Sequence, residues 1–179
     1  MSLTDLDATL PPGAIWYSQA CCSAGSAGPS SYIGLLPPTS TAAVVTSQVA
    51  LLGSTVAPAP LRLLGRKKPI RAFLGHVEPT FDWTLRNADT GQGLGNHIVS
   101  ALSTNLYGGG QPLGHAFADY RAGVGVLHTQ WADVRQNIAN GDVTQRPEAT
   151  RLRVAALDRQ SLVLLGDPTV ALPVDRRDA

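Results

Sequence analysis

Charged side chains are scarce in this chain. Lysine and arginine together number 14, and aspartate and glutamate 13, so only 15% of the 179 residues are charged and the net charge is +1. Because the two signs are mixed along most of the sequence, no field arises that would attract nucleic acid as the main partner. The one basic run, Arg66-Lys67-Lys68, is typical of a solvated loop. We therefore expect no nucleic-acid partner.

Long apolar runs and a secretory leader are also missing. No stretch approaches the roughly 20 residues that span a bilayer, and the N-terminus has neither a charged region nor a signal-like apolar run. These absences predict a cytoplasmic protein without a membrane partner. A chain of this length, 44% hydrophobic, buries roughly two-thirds of its unfolded surface and builds a core without disulfides or metals.

Cysteine is nearly absent, and the two that occur, Cys21 and Cys22, are neighbours in sequence. Neighbouring side chains on an extended backbone point to opposite sides, so a disulfide between these two is strained. None of the four histidines stands at zinc-finger spacing from them: His76, His97, His115 and His128. We expect neither a structural metal nor a cofactor.

Three apolar runs predict the strands of an α/β sheet, at residues 14–20, 70–75 and 161–165. Between the first two runs, Thr39 or Ser40 is a candidate cap for a helix that ends near Gly53. Its apolar residues recur at steps of three and four: Ala42, Val45, Val49 and Leu52. The order strand, helix, strand is typical of the crossover unit of an α/β sheet.

Composition predicts the character of the remaining segments. Residues 23–31 contain only small residues and proline, which predicts a mobile surface loop, and residues 57–60 predict a proline-rich turn. Residues 77–95 have the composition of a long loop. A helix follows with Ile98, Leu102 and Leu106 on one stripe, and a longer amphipathic helix runs from Phe117 to Ile138.

These elements predict one domain, over residues 14–173, between an irregular lead-in at 1–13 and a frayed tail at 174–179. Three strands make a thin sheet for a chain of this length, and the first of them has no earlier strand in the chain as a partner. The sequence therefore predicts an α/β fold whose first part is missing.

Reactive side chains follow two of the predicted strands, Cys21 after the first and His76 after the second. Ligands of open α/β sheets bind beyond the carboxyl ends of the strands. Small residues expose the Cys21 sulfur, and the backbone N–H groups of Cys22 and Ser23 are candidate donors to an oxyanion. Free cysteines and strand-end histidines are also common packing residues, which leaves a structural interpretation of both open.

The segment Gln19-Ala20-Cys21 after an apolar strand resembles the nucleophile segment of the caspase-like cysteine peptidases. In that family Arg, Gln or Gly follows the cysteine, and Gly comes next. Here Cys22 and Ser23 occupy those two positions, so this chain departs from the family pattern just after the cysteine.

Two further segments are similar to bacterial relatives in the same clan, the CHAT and gingipain-like groups. One is the strand that ends in Gly75-His76-Val77-Glu78, and the other is Leu-Leu-Gly-Asp-Pro-Thr at 164–169, followed by Leu172-Pro173. The resemblance covers roughly residues 14 to 173, with the three segments in the order and at the separations of the family.

The resemblance implies a caspase-like three-layer α/β/α sandwich that lacks its N-terminal strands. It also implies hydrolysis of a peptide or protein substrate, with Cys21 as the nucleophile of a Cys–His dyad. In caspases the general-base histidine precedes the cysteine by about 50 residues. This chain has only 20 residues before Cys21, and none of them is a histidine.

Three explanations of the missing base remain open. The chain is the C-terminal part of a longer peptidase, with the histidine on an upstream segment or a partner chain; or it is a catalytically inactive interaction module; or His76 is the base. Glu78 and Asp82, in the loop after the second strand, are candidate walls of a pocket for a basic substrate side chain, although acidic loop residues are commonly just solvated.

Overall fold

The computed structural model describes residues 9–81, 85, 93 and 95–173 of a mixed α/β protein. The chain divides into a sheet unit, described over residues 9–81 and 161–167, and a helical unit, described over 85, 93, 95–160 and 168–173. No helix in these described ranges is long and apolar enough to cross a membrane. Asp82 and the predicted tail at 174–179 lie outside the described residues.

The main sheet of the sheet unit has the strand order β1-β4-β5. Strand β1 (Ile15–Tyr17) runs parallel to β4 (Ala72–His76), and β5 (Leu162–Gly166) runs antiparallel to β4. All three predicted strands are confirmed. Every residue of β4 is buried, as its central position in the sheet and its nearly continuous apolar sequence require.

A second, two-stranded sheet pairs β2 (Gly25–Ala27) with β3 (Ser54–Val56) in antiparallel fashion. The prediction of a mobile loop over residues 23–31 is therefore wrong. Small residues bury little side-chain surface, but here they allow two backbones to approach closely. A Cβ atom at Gly25 would lie only 2.1 Å from the carbonyl oxygen of Thr55.

Helix α1 (Thr41–Ala50) begins as predicted, because the Ser40 Oγ accepts a hydrogen bond from the N–H of Ala43 at 3.2 Å. The predicted inward stripe is wrong at Val45 and Leu52, which are exposed, while Thr46 is buried. Helix α1 is thus rotated about its axis relative to the prediction, and its larger aliphatic side chains face outward.

Helix α2 (Pro58–Gly65) replaces the turn predicted at residues 57–60, so that prediction is also wrong. Proline is tolerated in the first turn of a helix, because the N–H that it lacks would have no helical partner there. Leu63 of α2 belongs to the core of the sheet unit with Ala24, Ile70 and Phe73. This core fixes the strand ends that carry the candidate site.

The helical unit contains the following helices in chain order: α3 (Asn96–Val99), a π-helix (Ser100–Gly108), α4 (Leu113–Ala116), α5 (Ala118–Ala139), a 3₁₀ turn (Val143–Gln145) and α6 (Arg146–Gln160). The long amphipathic helix is confirmed as α5, which packs against α6. Helix α6 was missed because its arginines obscure the apolar pattern. Pro147 near its start and the ion pair of Glu148 with Arg151, three residues on, are signals that mark it.

Candidate functional site

The candidate site lies at the carboxyl ends of β1 and β4, which are neighbours because the two strands are parallel. Cys21 follows β1 by four residues, and His76 is the last residue of β4. The antiparallel strand β5 begins opposite His76, where Leu162 pairs with it. Both sequence-predicted reactive residues therefore lie at the same edge of the sheet.

The Cys21 thiol is exposed and is held by Thr80, from the segment after β4. The backbone N–H of Thr80 donates to the Cys21 Sγ at 3.3 Å, and the Sγ lies 3.4 Å from the carbonyl oxygen of Thr80, to which the S–H donates. Thr80 was not predicted from the sequence as a site residue, because only its position in the loop after β4 indicates that it lies near Cys21.

The two backbone N–H groups predicted to hold an oxyanion have protein partners. The N–H of Cys22 donates to the carbonyl oxygen of Glu78 at 3.1 Å, and the N–H of Ser23 donates to that of Ala20 at 3.3 Å. Among the described residues, the N–H of Cys21 itself has no hydrogen-bond acceptor. It is therefore the donor beside the sulfur that remains available to an oxyanion.

His76 is buried, and both nitrogens of its ring are hydrogen-bonded within the sheet unit. Its Nε2 lies 3.3 Å from the Oε1 of Gln19, and its Nδ1 lies 2.8 Å from the Oγ of Ser161. An amide oxygen only accepts, so Nε2 carries a proton, and in the neutral ring Nδ1 accepts the Ser161 hydroxyl. The Gln19 Oε1 also accepts a hydrogen bond from the Tyr17 hydroxyl.

Cys21 and His76 have different hydrogen-bond partners. In the part of the chain that the structure describes, the Cys21 thiol is bonded to Thr80, whereas the His76 ring is bonded to Gln19 and Ser161. The ring joins the segment after β1, the end of β4 and the start of β5. These contacts support the structural interpretation of His76, and its role as the base stays a prediction.

Glu78 is buried, and its carboxylate binds another segment of the same unit. The Ser30 hydroxyl donates to its Oε2 at 2.8 Å, and the backbone N–H of Ser31 donates to its Oε1 at 2.7 Å. Both carboxylate oxygens therefore accept hydrogen bonds inside the sheet unit, and a pocket role of Glu78 stays a prediction. Asp82, the other predicted pocket residue, falls outside the described residues.

Cys22 differs from Cys21 in conformation and in acidity. Its φ is 52°, in the left-handed region that non-glycine residues rarely adopt. Burial, together with the nearby Cys21 and Glu78 side chains, raises the pKa of the Cys22 thiol from 9.0 to about 11. Cys22 is therefore a protonated, weakly nucleophilic thiol at neutral pH.

Iodoacetamide alkylation of Cys22 in a Cys21→Ala variant is expected to keep accelerating above pH 9. Burial, the largest cause of the raised pKa, remains in this variant, and only the thiolate reacts. Since the folded state holds this proton more tightly than the unfolded chain, the free energy of unfolding falls as the pH rises from about 9 to about 11. An alkylation rate that levels off at or below pH 9, followed by intact mass, would contradict the burial of this thiol.

Comparison of the chain with protein-family models, with curated proteins and with solved structures gives no match.

Proposed function

We propose that this chain is the C-terminal part of a caspase-like cysteine peptidase domain, with Cys21 as its nucleophile and the general-base histidine outside these 179 residues. The observation that carries the proposal is the setting of Cys21. Its thiol is exposed at the carboxyl end of a parallel strand and accepts the N–H of Thr80, and its own N–H is available as a donor.

The strand arrangement supports the finer fold assignment, a caspase-like three-layer α/β/α sandwich. Strand β1, which leads to the nucleophile, pairs with β4 along one edge, and no strand of the described residues pairs with its other edge. In the caspase-like family, the strand that ends in the histidine precedes the cysteine strand. The open edge of β1 is where we place that strand, on an upstream segment or a partner chain.

In the proposed reaction, the external histidine takes the Cys21 proton while the Sγ attacks the carbonyl carbon of a peptide bond. The N–H of Cys21 donates to the oxyanion that forms. The C–N bond then breaks, and the histidine returns the proton to the leaving amine. Water hydrolyses the thioester that remains on Cys21, which releases the acid and regenerates the thiol.

Rescue by free imidazole tests this proposal on the chain itself. We expect a peptidyl acyloxymethyl ketone to label the isolated chain slowly, and imidazole to accelerate labelling of Cys21 at least about tenfold. A positioned base supplies about 10²- to 10⁴-fold, of which a diffusing one recovers only part. The rate is measured by intact mass, with Cys22→Ala expected to behave as the wild type and Cys21→Ala to remain unlabelled.

Two results would contradict the proposal. Fast labelling without imidazole would mean that the chain carries its own base, so that the external histidine is wrong. Slow labelling that imidazole leaves unchanged, while iodoacetamide still alkylates Cys21, would mean that the thiol is accessible but has no catalytic setting.

The second of those results would favour another function, a catalytically inactive caspase-like interaction module. Two observations support this alternative: the His76 ring is bonded to Gln19 and Ser161, and the N–H groups of Cys22 and Ser23 donate to protein carbonyls. A fold kept for interaction needs no free donors at the strand ends, but it does need a surface for a partner.

A further inference from the structure

A cavity of about 570 Å³ lies within the helical unit, lined by residues of α3, the π-helix, α5 and α6. This volume is in the range of small-molecule sites, roughly 300 to 1,000 Å³. Helix α5 supplies the apolar part of the lining, with Ala122, Val126 and Leu127. The lining residues of the other three helices are all polar, and they include His97 and Arg159. An apolar surface with a few polar groups around it is the usual construction of a ligand site.

Gly123 forms the floor of the cavity in the interior of α5. A Cβ atom there would lie 3.9 Å from the Nε2 of His97 and 3.9 Å from the Nη1 of Arg159, which are ordinary contact distances. Packing therefore does not require glycine at this position, and glycine destabilises the interior of a helix relative to alanine. What glycine provides here is open space between the α5 backbone and the two nitrogen-bearing side chains.

Charged groups of opposite sign lie at two levels of the cavity. His97 and Arg159 converge at Gly123, whereas Asp119, which also lines the cavity, precedes Gly123 by four residues on α5. Helical side chains lean toward the N-terminus of their helix, which takes the Asp119 carboxylate further from Gly123. Among the described residues, Asp119 and His97 have no hydrogen-bond or ion-pair partner for their side chains.

These groups suit a ligand with a carboxylate at one end and an ammonium group at the other. Guanidinium and imidazole N–H groups donate to a carboxylate, and the Asp119 carboxylate accepts from an ammonium group. A simple carboxylic acid would leave Asp119 without a cation, and a simple amine would leave Arg159 and His97 without an acceptor. The polar lining therefore favours a zwitterion.

The spacing of the charged groups determines the length of this zwitterion. Four residues of α5 rise about 6 Å, which separates Asp119 from Gly123 along the helix axis. An extended peptide spans at most about 3.6 Å per residue, so a single amino acid is too short, and a dipeptide, at about 7 Å, is long enough. Val126 and Leu127 lie one turn beyond Gly123, where they meet the C-terminal side chain of such a ligand. Their apolar surface favours an aliphatic residue at that end.

We propose that this cavity binds a free dipeptide with an aliphatic C-terminal residue. Arg159 and His97 hold its carboxylate, and Asp119 holds its ammonium group. The aliphatic side chain packs on Val126 and Leu127. A guanidinium has five N–H donors, so Arg159 binds a carboxylate in addition to its contacts within the protein. The proposal goes beyond the peptidase assignment and does not depend on it, since every residue involved lies in the helical unit.

A chemical-shift titration of the ¹⁵N-labelled full chain with leucyl-leucine, over about 0.05 to 5 mM, tests the proposal. A ligand of this size is expected to bind with a Kd on the order of 0.1 to 1 mM. Saturable shifts are expected at the amides of Gly123 and Val126. N-acetyl-leucyl-leucine has no ammonium group, and leucyl-leucine amide has no carboxylate. Each is expected to bind at least about tenfold more weakly, because each leaves a charged group of the cavity unpaired.

Gly123→Leu is expected to abolish binding of leucyl-leucine, because the new side chain occupies the floor between His97 and Arg159. Gly125→Leu is the matched control, since Gly125 also lies in α5 and a Cβ there meets no heavy atom within 4 Å. This control is expected to bind as the wild type does. Both variants replace glycine by a better helix former, and circular dichroism verifies that they fold.

Three results would overturn the proposal. The first is a wild-type chain that shows no saturable shift with leucyl-leucine. The second is an analogue without one of the two charges that binds as tightly as leucyl-leucine, which would mean that the cavity does not recognise both ends. The third is binding that Gly123→Leu leaves unchanged, which would place the ligand elsewhere. None of these results bears on Cys21 labelling, so the dipeptide site and the peptidase assignment fail or stand separately.

Discussion

Replacement of Gly25 by alanine is expected to lower the free energy of unfolding by more than about 3 kcal/mol. The added Cβ would lie 2.1 Å from the Thr55 carbonyl oxygen and 2.9 Å from the Val56 Cα, and both are backbone atoms that cannot rotate away. The φ of Gly25 is also +143°, where a side chain is strained. The clash is relieved only if β2 separates from β3.

Urea unfolding followed by circular dichroism measures this loss, with Gly65→Ala as the control. Gly65 is the last residue of α2, and a Cβ there meets no heavy atom within 4 Å. The control is expected to change the free energy of unfolding by less than about 0.5 kcal/mol. Equal stabilities of the two variants would mean that β2 and β3 are not paired as described.

Glu78→Ala is expected to cost about 3 kcal/mol of stability, because it removes the acceptor of two hydrogen bonds inside the sheet unit. The buried Ser30 hydroxyl loses a charged acceptor, and the N–H of Ser31 loses its partner. Glu78→Gln is expected to cost less, since an amide oxygen still accepts one of the two. Because the Glu78 charge contributes to the raised pKa of Cys22, both variants are expected to lower that pKa.

A double-mutant cycle with Ser30→Ala isolates the buried hydrogen bond from other effects of the change. A coupling between Glu78 and Ser30 of about 1 to 2 kcal/mol is expected. Glu148→Ala is the matched control, since Glu148 is also a carboxylate with a close partner, Arg151, but lies largely in solvent. It is expected to cost less than about 1 kcal/mol. A cost at Glu78 no larger than at Glu148 would contradict the burial of this carboxylate.

The strand positions and the longest helix were predictable because their signals are local. The apolar runs that became β1, β4 and β5, and the alternating steps of three and four along α5, depend only on neighbouring residues. Local patterns fail at residues 23–31 and 57–60, where small residues and prolines predict a loop and a turn but the structure has a strand and a helix. The pairing of β2 with β3 depends on a second strand that is distant in the chain. The helix that begins at Pro58 depends on the core against which it packs.

At the candidate site too, the positions of the residues were predictable from the sequence, whereas their contacts were not. The sequence by itself determined that Cys21 and His76 follow two strands of one α/β sheet, and parallel pairing of those strands then puts both at one edge. Only the tertiary structure decided what each side chain contacts. Thr80 is 59 residues from Cys21, and the partners of the His76 ring are 57 and 85 residues from it in sequence.

The buried side of helix α1 shows the same distinction between local pattern and packing. The sequence contains the aliphatic residues of this helix, but packing decided which side of it is buried, with Thr46 inside and Val45 outside. The physical reason is common to the site and the helix. Secondary structure follows from local patterns, whereas hydrogen-bond partners and buried faces depend on strand register and on segments that are distant in the chain.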